Sequence, residues 1–209
     1  MFHLEELGSY AYRWDEGCFP LGADSLALGE FCAVRPRDRV LDLGCGAGLL
    51  LLLCARRCPD VALTGVELDP AAAEWARENL ERNGLAGEIL TGDLREVELP
   101  RNVDLVVSNP PWYPAGQAGD SKRVEDCTLP ELCATAAKAL KTKGRFALVH
   151  RPERLVEIVT ALKGAGLEPK RLQLCRGRPD KAPFALLMEA VKGGRPGLAV
   201  LPDQVEGDQ

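Results

Sequence analysis

The sequence predicts an α/β fold: a mostly parallel seven-stranded sheet, helices on both faces, and an antiparallel hairpin at the C-terminal end. Three observations predict it. Short β-branched or Leu-rich runs alternate with helical stretches between residues 40 and 163, the pattern of strands joined by crossover helices. The first run, Val40-Leu41-Asp42-Leu43, ends in a glycine-rich turn. The last two runs, Leu172–Cys175 and Ala185–Ala190, have no helix between them, so one must run against the other.

The elements follow in order. Before residue 24 the pattern is irregular, and Tyr10, Tyr12, Trp14 and Phe19 read as a small hairpin in an N-terminal extension, residues 1–23. The main unit spans 24–192. Its first strand ends at Gly44, and Ala47–Cys58 is a helix stopped near Pro59. Val61–Glu67 is the second strand. Pro70 suits the first turn of a helix that reaches Arg82 and stops at Asn83-Gly84. Glu88–Thr91 and Val103–Ser108 are strands three and four. Leu129–Leu140 is helical, Arg145–His150 is strand five, and Pro152 opens a helix to about Lys163. A turn holding Gly177, Pro179 and Asp180 joins the last two strands. The tail, residues 193–209, reads as loose.

Composition narrows the function classes. The chain has 209 residues, 46% of them apolar, enough for one buried core. No window approaches the roughly 18 uncharged apolar residues of a membrane span. The N-terminus carries Glu5-Glu6 and no basic-then-apolar order, so it is not a signal peptide and the expected location is cytoplasmic. The eight cysteines are scattered. Cys54 and Cys58 lie one helical turn apart, but a structural zinc needs four clustered ligands, so reduced thiols and no metal are expected. Net charge is −5, yet residues 141–181 hold eleven Lys or Arg against four Asp or Glu. A basic segment on an acidic body can hold phosphates.

In such sheets ligands bind beyond the C-terminal ends of the strands, where strand order reverses. Strand one ends Asp42-Leu43-Gly44-Cys45-Gly46-Ala47-Gly48, a G-x-G-x-G turn rather than the G-x-G-x-x-G of dinucleotide folds. Strand two ends Gly65-Val66-Glu67-Leu68-Asp69, which places Glu67 beside that turn, where it can accept both hydroxyls of a ribose. Strand three ends Thr91-Gly92-Asp93-Leu94, which places Asp93 one strand further out to accept from an adenine amino group. Strand four ends Ser108-Asn109-Pro110-Pro111-Trp112, the most specific signal in the chain. An exocyclic amine or an amide is a poor nucleophile because its lone pair is delocalised. Two acceptors on its hydrogens, the Asn109 side-chain oxygen and the Pro110 carbonyl, can turn that lone pair toward a methyl donor. Trp112 offers a face on which a flipped base can stack.

These motifs together resemble the class I methyltransferases with an Asn-Pro-Pro-aromatic signature. Phe19-Pro-Leu-Gly-Ala-Asp24-Ser25-Leu-Ala-Leu, Phe146-Ala-Leu-Val-His150 with Arg151 and Arg154, and Gly193-Gly-Arg-Pro-Gly-Leu198 narrow the resemblance to the adenine-N6 methyltransferases of valine tRNA. It covers about residues 19–202. The resemblance implies a Rossmann-like fold, S-adenosylmethionine as cofactor and an RNA, a tRNA, as partner. It implies that Gly44, Cys45, Gly46, Gly48, Asp42, Glu67, Leu68, Gly92, Asp93, Leu94 and Asn109 line the cofactor, with Asp24 and Ser25 at its methionine end. The family's usual Tyr is Trp112 here, and its Arg-His-Glu stretch is Arg123-Val124-Glu125.

The expected RNA surface is a rim at the C-terminal ends of the strands. It includes Arg151, Arg154, Arg176, Arg178 and Lys181, with His150 facing the same rim. Three alternatives remain at this point. A glutamine-N5 methyltransferase of release factors uses the same amine chemistry but carries a separate helical domain ahead of its core. A guanine-N2 RNA methyltransferase is the next. A scaffold that binds the cofactor and RNA without turnover is the third, and intact Asn109, Asp93 and Glu67 argue against it.

Overall fold

The computed structural model describes residues 2–18, 20–111 and 127–205. Two strands open the chain, β1 (Phe2–Leu7) and β2 (Tyr10–Asp15), paired antiparallel about Gly8. Helix α1 (Ala23–Phe31) leads into the main sheet. There follow β3 (Arg39–Leu43), α2 (Leu49–Arg57), β4 (Ala62–Glu67), α3 (Pro70–Arg82), β5 (Gly87–Thr91) and β6 (Val103–Ser108). After the segment outside the described residues come α4 (Leu129–Ala139), β7 (Leu140–His150), a single 3-10 turn over Pro152–Arg154, and α5 (Leu155–Gly164). The chain closes with β8 (Leu167–Arg176), β9 (Ala185–Lys192), β10 (Ala199–Val200) and β11 (Gln204–Val205).

The seven long strands lie in the order β8-β9-β7-β6-β3-β4-β5, and all run parallel except β9. This is the α/β architecture expected from the alternation. The chain moves outward from β3 to β5, then crosses back to lay β6 on the other side of β3. The crevice between β3 and β6 is therefore the switch point of the sheet. The strands bury both faces, which is why their sequences read as continuous apolar runs. One face packs under α1, α2 and α3 through Leu28, Leu51, Leu52 and Leu53. The other packs under α4 and α5 through Leu129, Leu132, Ile158 and Leu162.

The largest differences from the sequence reading are three. Strand β7 begins at Leu140, directly at the end of α4, rather than at Arg145. Lys141, Thr142 and Lys143 belong to this strand, since Val103 of β6 already pairs with Leu140. Strand β8 begins at Leu167, before the expected Leu172, and includes Pro169 next to a register shift in the ladder with β9. A proline is tolerated there because a bulge removes the need for its N–H. The tail is not loose between residues 199 and 205. Strands β10 and β11 pair parallel with the outer edge of β8, and the Leu201 amide donates to the Leu172 carbonyl at 2.8 Å. This satisfies backbone groups that the outermost strand would otherwise leave open.

The N-terminal hairpin is held to α3 by side-chain amides. Asn79 and Asn83, one turn apart, each pair with both backbone groups of a β2 residue, Arg13 and Ala11 respectively. Two carboxamides thus take the place of a neighbouring strand along the open edge of β2.

Candidate active site

The turn after β3 is built on left-handed backbone. Gly44, Gly46 and Gly48 have φ of 77°, 52° and 84°. A side chain at Gly48 would meet Cβ of Ala76 on α3 at 3.3 Å, so this glycine lets helix and turn pack closely. A side chain at Gly46 would meet nothing within 4 Å. The backbone at Gly46 therefore faces space that a ligand can approach closely.

Glu67 ends β4 beside this turn. One carboxylate oxygen accepts from the Gly46 amide at 2.8 Å and the other from the Asp69 amide at 2.9 Å. Asp69 caps α3 by accepting from the Ala71 amide at 2.9 Å, ahead of Pro70. Leu68, between them, is 54% exposed although large and apolar. Asp42, in β3 under the turn, is fully buried, and neither of its carboxylate oxygens has a hydrogen-bond partner among the described residues. Burial, with the nearby charge of Glu67, holds its pKa well above the usual carboxylate range.

At the end of β5, Gly92 has φ of 146°, and Asp93 follows it. Arg95 grips the Asp93 carboxylate with its guanidinium at 2.5 Å and its own amide at 2.8 Å, and reaches Glu131 of α4 at 3.3 Å. The Arg95 hydrogen bonds hold Asp93 below the usual carboxylate range. Leu94 packs into the apolar layer beneath α4.

Across the switch crevice, the Ser108 hydroxyl donates to the Leu43 carbonyl at 2.7 Å and locks the end of β6 to the end of β3. Asn109 comes next, half-buried, and its amide nitrogen donates to Asp24 Oδ2 and to Ser25 Oγ, each at 2.9 Å. The N-cap of α1 is Gly22, so Asp24 lies within the first turn and turns its carboxylate to Asn109. Pro110 is half-buried beside it. Trp112 lies outside the described residues, as do Arg123, Val124 and Glu125. The structure thus brings Asp24, Ser25, Asp42, the glycine turn, Glu67 and Asn109 to one end of the sheet around one crevice, with Asp93 one strand outward.

The basic rim differs from expectation. His150 is fully buried and does not face outward. Its Nδ1 accepts from the Arg151 amide at 2.8 Å, and Arg154 lies 3.2 Å from Nε2. Burial and the Arg154 charge push its pKa down to about 4. Arg154 pairs with Glu157 at 2.5 Å and Arg151 with Glu153 at 3.2 Å. Arg176 bonds Asp203 of the tail and the Lys181 carbonyl, while Arg178 and Lys181 are exposed. Sequence reasoning missed Asn79, Asn83, Arg95, Ser108 and Asp203. Only Asn79 left a signal: an Asn in the interior of a helix is unfavourable without a partner.

The chain as a whole is similar to several known proteins. The methyltransferase small domain family matches residues 23–163. A tRNA1(Val) (adenine(37)-N6)-methyltransferase of Porphyromonas gingivalis is 31% identical over 191 residues, 83% of this chain and 75% of the relative. One from Bacteroides thetaiotaomicron is 32% identical, covering 84% and 78%. A solved structure described as a predicted O-methyltransferase, from Agrobacterium tumefaciens, superposes with a TM-score of 0.72 at 25% identity, covering 88% of this chain and 89% of that one. A methyltransferase from Pyrococcus furiosus gives a TM-score of 0.69 at 21% identity, covering 90% and 91%.

Proposed function

This chain belongs to the methyltransferase small domain family and, within it, to the tRNA1(Val) adenine-N6 methyltransferases, and from that premise we propose that it methylates the N6 amino group of adenine in a tRNA. The fold is that of class I methyltransferases. The observation that carries the reading is the pairing of two features on either side of one crevice. On the β3 side a fully buried carboxylate without a partner among the described residues, Asp42, lies under an open glycine turn. On the β6 side stands Asn109 with consecutive prolines behind it.

The residues fit S-adenosylmethionine. A buried carboxylate without a donor is costly unless a cation or donor reaches it, and the methionine ammonium is such a group. Glu67 is the acceptor for the ribose hydroxyls, Asp93 for the adenine amino group, and exposed Leu68 gives the base an apolar face. Gly44, Cys45, Gly46, Gly48, Gly92 and Leu94 shape the rest of the cradle. The G-x-G-x-G spacing of the turn departs from the G-x-G-x-x-G of dinucleotide folds, which suits a cofactor without phosphate. When bound, S-adenosylmethionine supplies an electrophilic methyl group. Asn109 Oδ1 and the Pro110 carbonyl accept the two hydrogens of the target amine and aim its lone pair at that methyl. No strong base is required, because the positive charge passes from cofactor to amine and leaves as a proton to solvent. Trp112 stacks on the base.

Residues 24–192 form the catalytic unit, with 1–23 an extension and 193–209 a tail. Arg151, Arg154, Arg176, Arg178 and Lys181 contact phosphates. Among the described residues no helix is long and apolar enough to cross a membrane, and action on tRNA puts the enzyme in the cytoplasm. The test is methyl transfer from labelled S-adenosylmethionine to unmodified tRNA, with the product mapped by mass spectrometry. N6-methyladenine in the anticodon loop is the expected product. Label in a protein glutamine, or in guanine, would overturn the reading.

A further inference from the structure

We propose that Asp24 is a positioning residue that fixes which end of the Asn109 carboxamide faces the substrate, with Gly22 keeping the space Asp24 needs. The inference rests on the amine-methylating reading and adds a role for residues otherwise expected only at the cofactor. A carboxamide has nearly the same shape in its two flipped orientations, so packing alone does not select one. The chemistry needs one only. With Oδ1 toward the target amine, Asn109 accepts a hydrogen; with Nδ2 there, it presents hydrogens to hydrogens.

Contacts among the described residues favour the productive orientation. Asn109 Nδ2 donates to Asp24 Oδ2 at 2.9 Å and to Ser25 Oγ at 2.9 Å. A carboxylate only accepts, so the amide end of Asn109 must face Asp24, and its oxygen must face the opposite way. Ser25 alone could not decide, because a hydroxyl both donates and accepts. Asp24 and Ser25, in the first turn of α1, lie 85 and 84 positions from Asn109 at the end of β6.

Gly22 supplies an independent mark of the arrangement. A Cβ placed on Gly22 would lie 2.3 Å from Asp24 Oδ1. Gly22 has φ of −97° and ψ of 148°, which any residue adopts, so its backbone does not demand glycine. The Asp24 carboxylate, the far end of a flexible side chain, is folded against its Cα and is what a Cβ there would displace. A methyl there would push Asp24 out of line while removing no functional group.

The experiment compares turnover, substrate KM and S-adenosylmethionine Kd for Asp24→Asn, Gly22→Ala, Asn109→Asp and the exchange Asp24→Asn with Asn109→Asp. Each is assayed on whichever acceptor, tRNA or protein, the wild-type enzyme methylates. Asp24→Asn allows either amide orientation and should lower kcat roughly ten- to hundredfold, the range for a missing charge-assisted hydrogen bond. KM and the cofactor Kd should stay within about threefold. Gly22→Ala should act in the same direction. In the exchanged variant the carboxamide moved to position 24 donates to one oxygen of the carboxylate moved to position 109. The other oxygen stays available for the amine. Turnover of the exchanged variant should therefore exceed that of Asn109→Asp alone, a coupling that independent roles would not give. Isotope-edited NMR of the Asn109 amide protons, protected from solvent exchange in the wild type and not in Asp24→Asn, reports the orientation without any turnover. Unchanged kcat, a loss confined to cofactor affinity, or strictly multiplicative effects would each overturn the proposal. Failure of the wild-type enzyme to label RNA would overturn the substrate reading instead.

Discussion

Asn79, in the interior of α3, donates to the Ala47 carbonyl of the glycine turn at 2.9 Å with the same amide group that donates to Arg13 of the N-terminal hairpin at 2.7 Å. Its oxygen accepts from the Arg13 amide at 2.9 Å. One fully buried side chain therefore holds the hairpin and the turn together. Asn79→Ala leaves three backbone groups without this partner. We expect a loss of roughly 2–4 kcal/mol, given about 1–3 kcal/mol for each buried group left unpaired and partial access of water. Urea unfolding measures it, as a lower midpoint at constant slope. Cofactor affinity should fall as well. Asn83→Ala, which releases the hairpin at Ala11 but not the turn, should cost about 1 kcal/mol and leave cofactor affinity unchanged.

Glu67 has two tasks. Its carboxylate anchors the Gly46 amide, and by our reading accepts the ribose hydroxyls. Glu67→Ala should weaken S-adenosylmethionine binding by roughly 1.5–3 kcal/mol, the range for hydrogen bonds to a charged acceptor. Calorimetry decides. Unchanged affinity would remove Glu67 from the site.

Asn109→Ala should lower turnover strongly while cofactor affinity stays nearly intact, the signature of an interaction made mainly in the transition state. Turnover surviving within about threefold would rule out amine orientation by Asn109.

How much of this was legible beforehand follows from which forces are local. The strands β3 to β6 end in motifs that carry their own signals: a glycine turn, two acids at strand ends, and Asn109-Pro110-Pro111. The reversal of strand order that brings Gly46 and Asn109 together follows from the fold class. The early starts of β7 and β8 depend on pairing with β6 and β9, so Lys141 and Pro169 gave no local hint. Asp24 reads equally well as a helix cap until its carboxylate is seen against Asn109. Arg95 and Asp203 read as solvated charges, because a partner on another element leaves no trace in a single sequence.

His150 gives the fold an acid-sensitive point. Burial holds its folded pKa at about 4, below the usual 6.5, with Arg154 and Arg151 lowering it further and Glu157 and Glu153 opposing. The unfolded chain therefore takes up this proton before the folded one does. Stability is full above pH 6.5 and falls as pH drops toward 4, by about 1.4 kcal/mol per unit for this group. His150→Asn keeps an acceptor for the Arg151 amide and cannot titrate. The difference in stability between the two proteins should change with pH across that window and flatten outside it. A constant difference from pH 7 to pH 4 would mean that His150 is not held neutral.

The basic rim calls for a different substitution set from the one its sequence suggests. Arg176 lies at the C-terminal end of β8, where a tRNA would approach, but its guanidinium is bound to Asp203 and to the Lys181 carbonyl. A phosphate must displace Asp203 to use it. Asp203→Asn should therefore tighten tRNA binding and steepen its salt dependence, because one more neutralised phosphate releases one more counterion. Arg178 and Lys181 are exposed at the same turn. Reversing both to Glu should weaken binding and reduce the salt slope by roughly one for each phosphate no longer neutralised. Lys141 and Lys143 serve as the control. Lys141 pairs with Asp104 near the start of β6, and Lys143 donates to the Gly193 carbonyl at 2.5 Å, both at the opposite end of the sheet. Reversing them should change neither affinity nor slope. Filter binding or anisotropy across a salt series reads all three. Equal effects from the rim and control pairs would mean diffuse attraction without a docking surface, and no effect from any of them would move the substrate from RNA to protein.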